Sequence, residues 1–202
     1  MDDRTLLNTL EEKGARFFVN QVNWPDSYPY CPACSGRIAR TEGFLALHFH
    51  VNGLDLRVAS LGDNERPWED SCCEFFVEDP DGSVYYNFEV NAAGKLLAAM
   101  GAGRGDRKQR TAADLARIRR IASNVITEAT EISGSIMTWD VALVIPLDLM
   151  GIHENNLPKT LRANFYKCGD KTAHPHYVTW NPIGTPKPDF HRPEYFGELE
   201  LQ

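Results

Sequence analysis

The chain has 202 residues, 43% of them hydrophobic and 24% charged, which suits one large soluble domain with a packed core. Its 21 Lys+Arg against 28 Asp+Glu leave a net charge of −7, an argument against nucleic acid or an anionic membrane surface as a partner. No run approaches the roughly 20 apolar residues of a membrane span. The start, Met1-Asp2-Asp3-Arg4, is acidic rather than leader-like, so the expectation is a cytoplasmic protein as the chain stands, or a secreted or periplasmic one if a leader has been removed.

Residues Thr5 to Lys13 carry leucines at 6, 7 and 10 ahead of Gly14, which predicts a short N-terminal helix within an extension over residues 1–19. Pro25, Pro29 and Pro32 then interrupt an aromatic segment containing Trp24, Tyr28 and Tyr30. Trp24 is expected to staple this segment to the body of the protein, or else to wall a site. Cys31 and Cys34 form a CxxC, but no second Cys or His pair stands at matching spacing. Cys72 and Cys73 would point to opposite faces of a strand. The five cysteines therefore read as reduced, buried small hydrophobes, and no metal site is expected.

From here short apolar runs recur between Gly, Asp and Asn. Strands are predicted at Phe44 to Val51, Leu54 to Ala59, Cys73 to Val77 and Val84 to Val90, the last two joined by the Asp79-Pro80-Asp81-Gly82 turn. Further strands are predicted at Lys95 to Met100, Ile118 to Ile121, Ile136 to Ile145, Leu161 to Tyr166, Tyr177 to Trp180 and Phe196 to Leu201. The basic run Arg104 to Arg120 reads as a solvated loop, and Pro146 to Gly151 as one helical turn. Trp139 alternates with Val141, Leu143 and Ile145, so it belongs to the core. Many short strands with little helix predict an all-β fold, a single antiparallel β-sandwich over residues 1–202.

Several motifs have a recognisable order: Trp68-Glu69-Asp70-Ser71 through Glu74-Phe75-Phe76, Tyr85 to Asn91 with Gly94, and Trp139 with Ile145-Pro146. They continue with Arg162 to Cys168, His176-Tyr177, Trp180-Asn181-Pro182 and Phe190 to Gly197. Over roughly residues 20 to 202 this order resembles carbohydrate-binding module family 9-like domains, which are β-sandwiches of the DOMON-like kind. The resemblance implies non-catalytic binding of a xylan- or cellulose-type glycan, with two tryptophans sandwiching a terminal sugar. Trp68 matches the first tryptophan, with Glu74 six residues on, and Trp180 is the candidate for the second. It implies no cofactor beyond the structural calcium some members carry, and no acidic run here has a calcium spacing.

The residue chemistry agrees with that expectation. A pyranose offers a C–H face to an indole and a rim of hydroxyls to polar groups. Glu69 and Glu74 would accept from those hydroxyls, while Asn87, Asn164 and Asn181 would both donate and accept. Strand alternation puts Asn87, Glu89 and Asn91 on one face, with Tyr86, Phe88 and Val90 on the other. The alternative function is a glycoside hydrolase using Glu74 and Glu89 as paired carboxylates, should their strands be neighbours. His174, His176 and His191 with Asp170 and Asp189 could suggest a metal or general base, but their spacing matches no such signature. A third reading makes the tryptophans pure packing groups. No feature sets an oligomeric state.

Overall fold

The computed structural model describes residues 1–153, 155 and 157–200. Helix α1 (Asp3–Lys13) begins where Asp2 accepts a hydrogen bond from the Thr5 amide at 2.9 Å, a side-chain cap on otherwise orphaned donors. Leu6 and Leu10 bury its apolar stripe against Ala46. Strands β1 (Ala15–Phe18), β3 (Ala33–Thr41), β4 (Phe44–Gly53), β12 (Met137–Pro146) and β10 (Arg119–Ala122) form an antiparallel sheet in the order β1-β3-β4-β12-β10. The first 19 residues thus supply a helix and an edge strand of that sheet.

The second sheet holds β2 (Gln21–Val22), β6 (Cys72–Glu78), β7 (Tyr85–Asn91), β8 (Leu96–Gly101), β9 (Lys108–Gln109), β13 (Thr160–Cys168) and β14 (Tyr177–Thr179). They run β2-β14-β13-β6-β7-β8-β9, and β15 (Gly197–Glu200) also pairs with β13. Strands β5 (Leu56–Val58) and β11 (Thr130–Ile132) make a small ladder of their own. The β6–β7 hairpin closes as its sequence predicts. Gly82 takes φ 68° and donates to the Asp79 carbonyl at 3.0 Å, a conformation that costs glycine little.

Apolar side chains of the two large sheets meet in a common core, and Phe165 is its hub. Its ring stacks on Phe17 at 4.0 Å and on Phe75 at 5.2 Å, with Phe49 edge-on at 6.2 Å. Trp139 is 1% exposed within the same core, as its alternation requires. Tyr86, Phe88 and Val90 join it from β7.

Parts of the fold differ from the sequence expectation, the unpredicted strands β1, β2 and β11 among them. The basic run is not a plain loop, because it contains β9 and helix α2 (Ala112–Arg117). A capping box opens that helix, with Thr111 accepting from the Asp114 amide and the Asp114 carboxylate accepting from Thr111. Strand β3 was not anticipated either. Its inward positions are Cys34, Gly36 and Ile38, which make a faint apolar stripe. Gly36 is required there, since a Cβ would collide with the Phe17 ring and the His48 carbonyl oxygen. The final strand ends at Glu200, and Leu201 lies outside the described residues.

Candidate functional site

The outer face of the second sheet is polar where a solvated face would be unremarkable, yet it is buried. Alternation turns Cys72, Glu74 and Phe76 of β6 outward, with Tyr85, Asn87, Glu89 and Asn91 of β7 and Asn164, Tyr166 and Cys168 of β13 beside them. Register arranges these into rows. Glu74 lies opposite Tyr166 on one side and Glu89 on the other. Cys72 lies opposite Cys168 and Asn91, and Phe76 opposite Asn164 and Asn87.

A roof of loops closes over the central row and leaves a cavity of about 420 Å³, within the range of small-molecule sites. Trp68 stands on one wall. Its 3-10 turn (Pro67–Glu69) is tied down where the Trp68 carbonyl accepts from the Asp170 amide and the Glu69 carbonyl from the Lys171 amide, each at 3.1 Å. Just behind it, fully buried Asp70 accepts from the Ala59 and Ser60 amides at 2.9 Å, from Asn91 at 3.0 Å and from Arg57. Further lining is aromatic, from Tyr28, Tyr177 and Phe190. Phe190 stacks on Tyr166 at 4.2 Å with an 8° tilt, and Tyr28 meets Tyr177 edge-on at 4.7 Å. Arg104, Arg107, Lys187, Asp189 and His191 complete the rim.

Burial governs the titration of the floor. Glu74 is 3% exposed, and loss of water pushes its carboxyl well above the usual range, reinforced by Cys168 and Glu89. Cys168 sets its Sγ 3.0 Å from Glu74 Oε1. Burial raises Glu89 to about 7, against the pull of Arg107 at 3.6 Å and the Asn87 amide donating at 2.9 Å. Asp170 is lifted to about 6, again chiefly by burial. His191 is driven down to about 3 by burial beside Arg107 and Arg104, so a neutral imidazole meets the Tyr85 hydroxyl at 3.0 Å. The cavity lining thus carries three carboxyls, Glu74, Glu89 and Asp170, each held above its ordinary range chiefly by burial.

Of the predicted site residues, Trp68, Glu74 and Glu89 line the cavity. Asn87 lies one step away and orients Glu89. Glu69 turns aside to Lys171 at 3.0 Å and Arg66 at 3.5 Å. Asn164 and Asn181 brace each other, through Asn164 Nδ2 to the Asn181 carbonyl at 3.0 Å and the Asn181 amide to Asn164 Oδ1 at 2.9 Å. Trp180 is not the second wall. It packs half-buried on the inter-sheet core, 5.4 Å from Phe165 and edge-on to it, because β14 delivers it to the inner face. Trp24 is the staple, its indole N–H donating to the Thr185 carbonyl at 2.6 Å.

The three histidines take different partners: Asp55 for His174, Lys167 for His176 and Tyr85 for His191. The Arg104 run, expected only as a solvated loop, supplies Arg104 and Arg107 to the cavity lining, beside residues 187–191.

An antiparallel β-sandwich with an aromatic-walled, hydrogen-bonding cavity on one outer face is a small-ligand-binding module. The chain belongs to carbohydrate-binding family 9, whose sequence model it matches over residues 5–201. It is 37% identical to a Bacteroides uniformis ATCC 8492 protein assigned a carbohydrate-binding role, covering 100% of this chain and 93% of that one, with a TM-score of 0.91. It shares its fold with a family 9 module from Caldicellulosiruptor kristjanssonii solved with glucose, at 13% identity, TM-score 0.58 and coverage of 100% and 88%. The same holds for a family 9 module from that organism solved with cellotriose, at 10% identity, TM-score 0.54 and coverage of 95% and 84%. No curated protein matches the chain.

Membership makes this a non-catalytic carbohydrate-binding module, which sets the hydrolase alternative aside. Glu74 and Glu89 are indeed cross-strand neighbours, but they sit side by side on one floor. A hydrolase needs its carboxyls on either side of the bond it cuts.

Proposed function

We propose that the cavity binds one sugar ring or glycan end, stacked on Trp68 and facing the wall formed by Tyr28, Tyr177 and Phe190. The observation that carries this reading is a partly buried indole lining the same cavity as buried Glu74 and Glu89, beside Arg104 and Arg107. Apolar C–H groups would lie on the rings, and hydroxyls would exchange hydrogen bonds with Glu74, Glu89 and Asp170. Cello- and xylo-oligosaccharides are the first ligands to try, given the sugars held by the fold relatives.

Stacking contributes about 0.5–1.5 kcal/mol beyond the area it covers, so Trp68→Ala should weaken the best sugar at least tenfold in a calorimetric titration. Trp180→Phe, altering a ring on the other face, should bind as the parent does. Equal affinity in parent and Trp68→Ala would overturn the reading.

A further inference from the structure

The cavity floor also holds two thiols that the sugar reading does not use, beside Glu74, which it does. Cys72 Sγ, Cys168 Sγ and one Glu74 carboxylate oxygen all lie within 4.8 Å of one another. The three residues come from directly paired strands: Cys72 faces Cys168 across β6–β13, and Glu74 sits two residues on, on the same face of β6. They are 0%, 1% and 3% exposed. Cys73, the other half of the vicinal pair, faces the inter-sheet core, so the sequence argument against two adjacent cysteines sharing an ion holds, and Cys168 takes the second place instead.

We propose that Cys72, Cys168 and Glu74 bind a zinc ion at the floor of the cavity. Zinc bonds thiolate sulfur at about 2.3 Å and carboxylate oxygen at about 2.0–2.2 Å, which places tetrahedral sulfurs roughly 3.8 Å apart. The observed triangle is close enough for side-chain rotation alone to close it. Two sulfurs exclude calcium and magnesium, which take oxygen ligands. Binding one Zn²⁺ releases the two thiol protons, and the Glu74 proton where it is present, to solvent, with no change of oxidation state. The Cys168–Glu74 hydrogen bond gives way to two metal bonds. Because Glu74 and Cys168 line the cavity, the fourth position opens into it, as in zinc sites that keep one place for water or a ligand.

The test uses the full chain, stripped with a chelator under reducing conditions and titrated with Co²⁺ alone. One equivalent should bind with a near-ultraviolet sulfur-to-cobalt charge-transfer band and tetrahedral visible bands, and Zn²⁺ should displace it. Cys72→Ser and Cys168→Ser should each weaken binding at least 100-fold. Glu74→Gln should weaken it about 10–100-fold, while Cys31→Ser and Cys34→Ser should bind as the parent does. Absence of the sulfur band in the parent overturns the site whether or not the variants fold. A band lost in Cys31→Ser or Cys34→Ser overturns it in favour of the CxxC. No sugar enters the titration, so its failure leaves the sugar reading standing.

Discussion

The carboxyl pair Glu74–Glu89 shows what a residue can and cannot disclose before folding. Their alternation and strand positions were readable, and so was their chance of being neighbours. Their protonation was not, because it depends on a roof drawn from residues 28, 68, 104–107 and 187–191. Glu89 carries a measurable consequence. Unfolded, it loses its proton near the ordinary glutamate value of 4.5; folded, near 7. Between these the unfolded state binds fewer protons, so Glu89 lowers stability as pH rises from about 4.5 to 7 and adds no further change above. Glu89→Gln keeps the Asn87 contact and cannot ionise. Denaturant titrations should show it gaining on the parent across that window by on the order of 3 kcal/mol, and a difference independent of pH would refute the assignment. Trp68 and Trp180 teach the same lesson from another side. Both indoles stood beside polar residues in the sequence, and only the face to which each strand or turn delivered its ring separated one that lines the cavity from one that packs on the core.

At the scale of elements, periodicity was a sound guide where inward residues were large. Strands β4, β6, β7, β8, β12 and β13 all carry bulky aliphatic or aromatic inward positions, and each was foreseeable. Strand β3 escaped because Gly36 and Cys34 do structural duty without hydropathic weight, leaving room for Phe17 above them. Helix α2 announced itself only through its Thr111–Asp114 cap, which the surrounding charge obscured. Phe165 shows how tightly these elements depend on one side chain, since it touches rings from β1, β4 and β6 and the indole of Trp180. Phe165→Ala should destabilise the protein by about 3–5 kcal/mol in equilibrium unfolding. A loss under 1 kcal/mol would mean the two sheets do not rely on that contact.

For the whole molecule, the order of motifs along the chain was more informative than any single one, because a sandwich imposes the same succession of strands on every sequence that adopts it. The family and the fold class were therefore accessible. Half the cavity was not, since its lining is gathered from segments more than a hundred residues apart, and such closure leaves no local periodicity to read. All five cysteines are unpaired, and Cys31 alone is exposed. The sandwich is thus held without covalent cross-links, and its integrity is indifferent to reductant. An alkylating reagent added to the intact protein should modify exposed Cys31 first and Cys168, which lines the cavity, more slowly, leaving Cys34, Cys72 and Cys73 untouched until the body opens. Cys34 and Cys73, between the layers, would then time the parting of the sheets, while Cys72, on the outer face of β6, would time the lifting of the roof over it. A single chain thereby carries two internal clocks, and rapid labelling of all five positions in folded protein would show that neither is sealed.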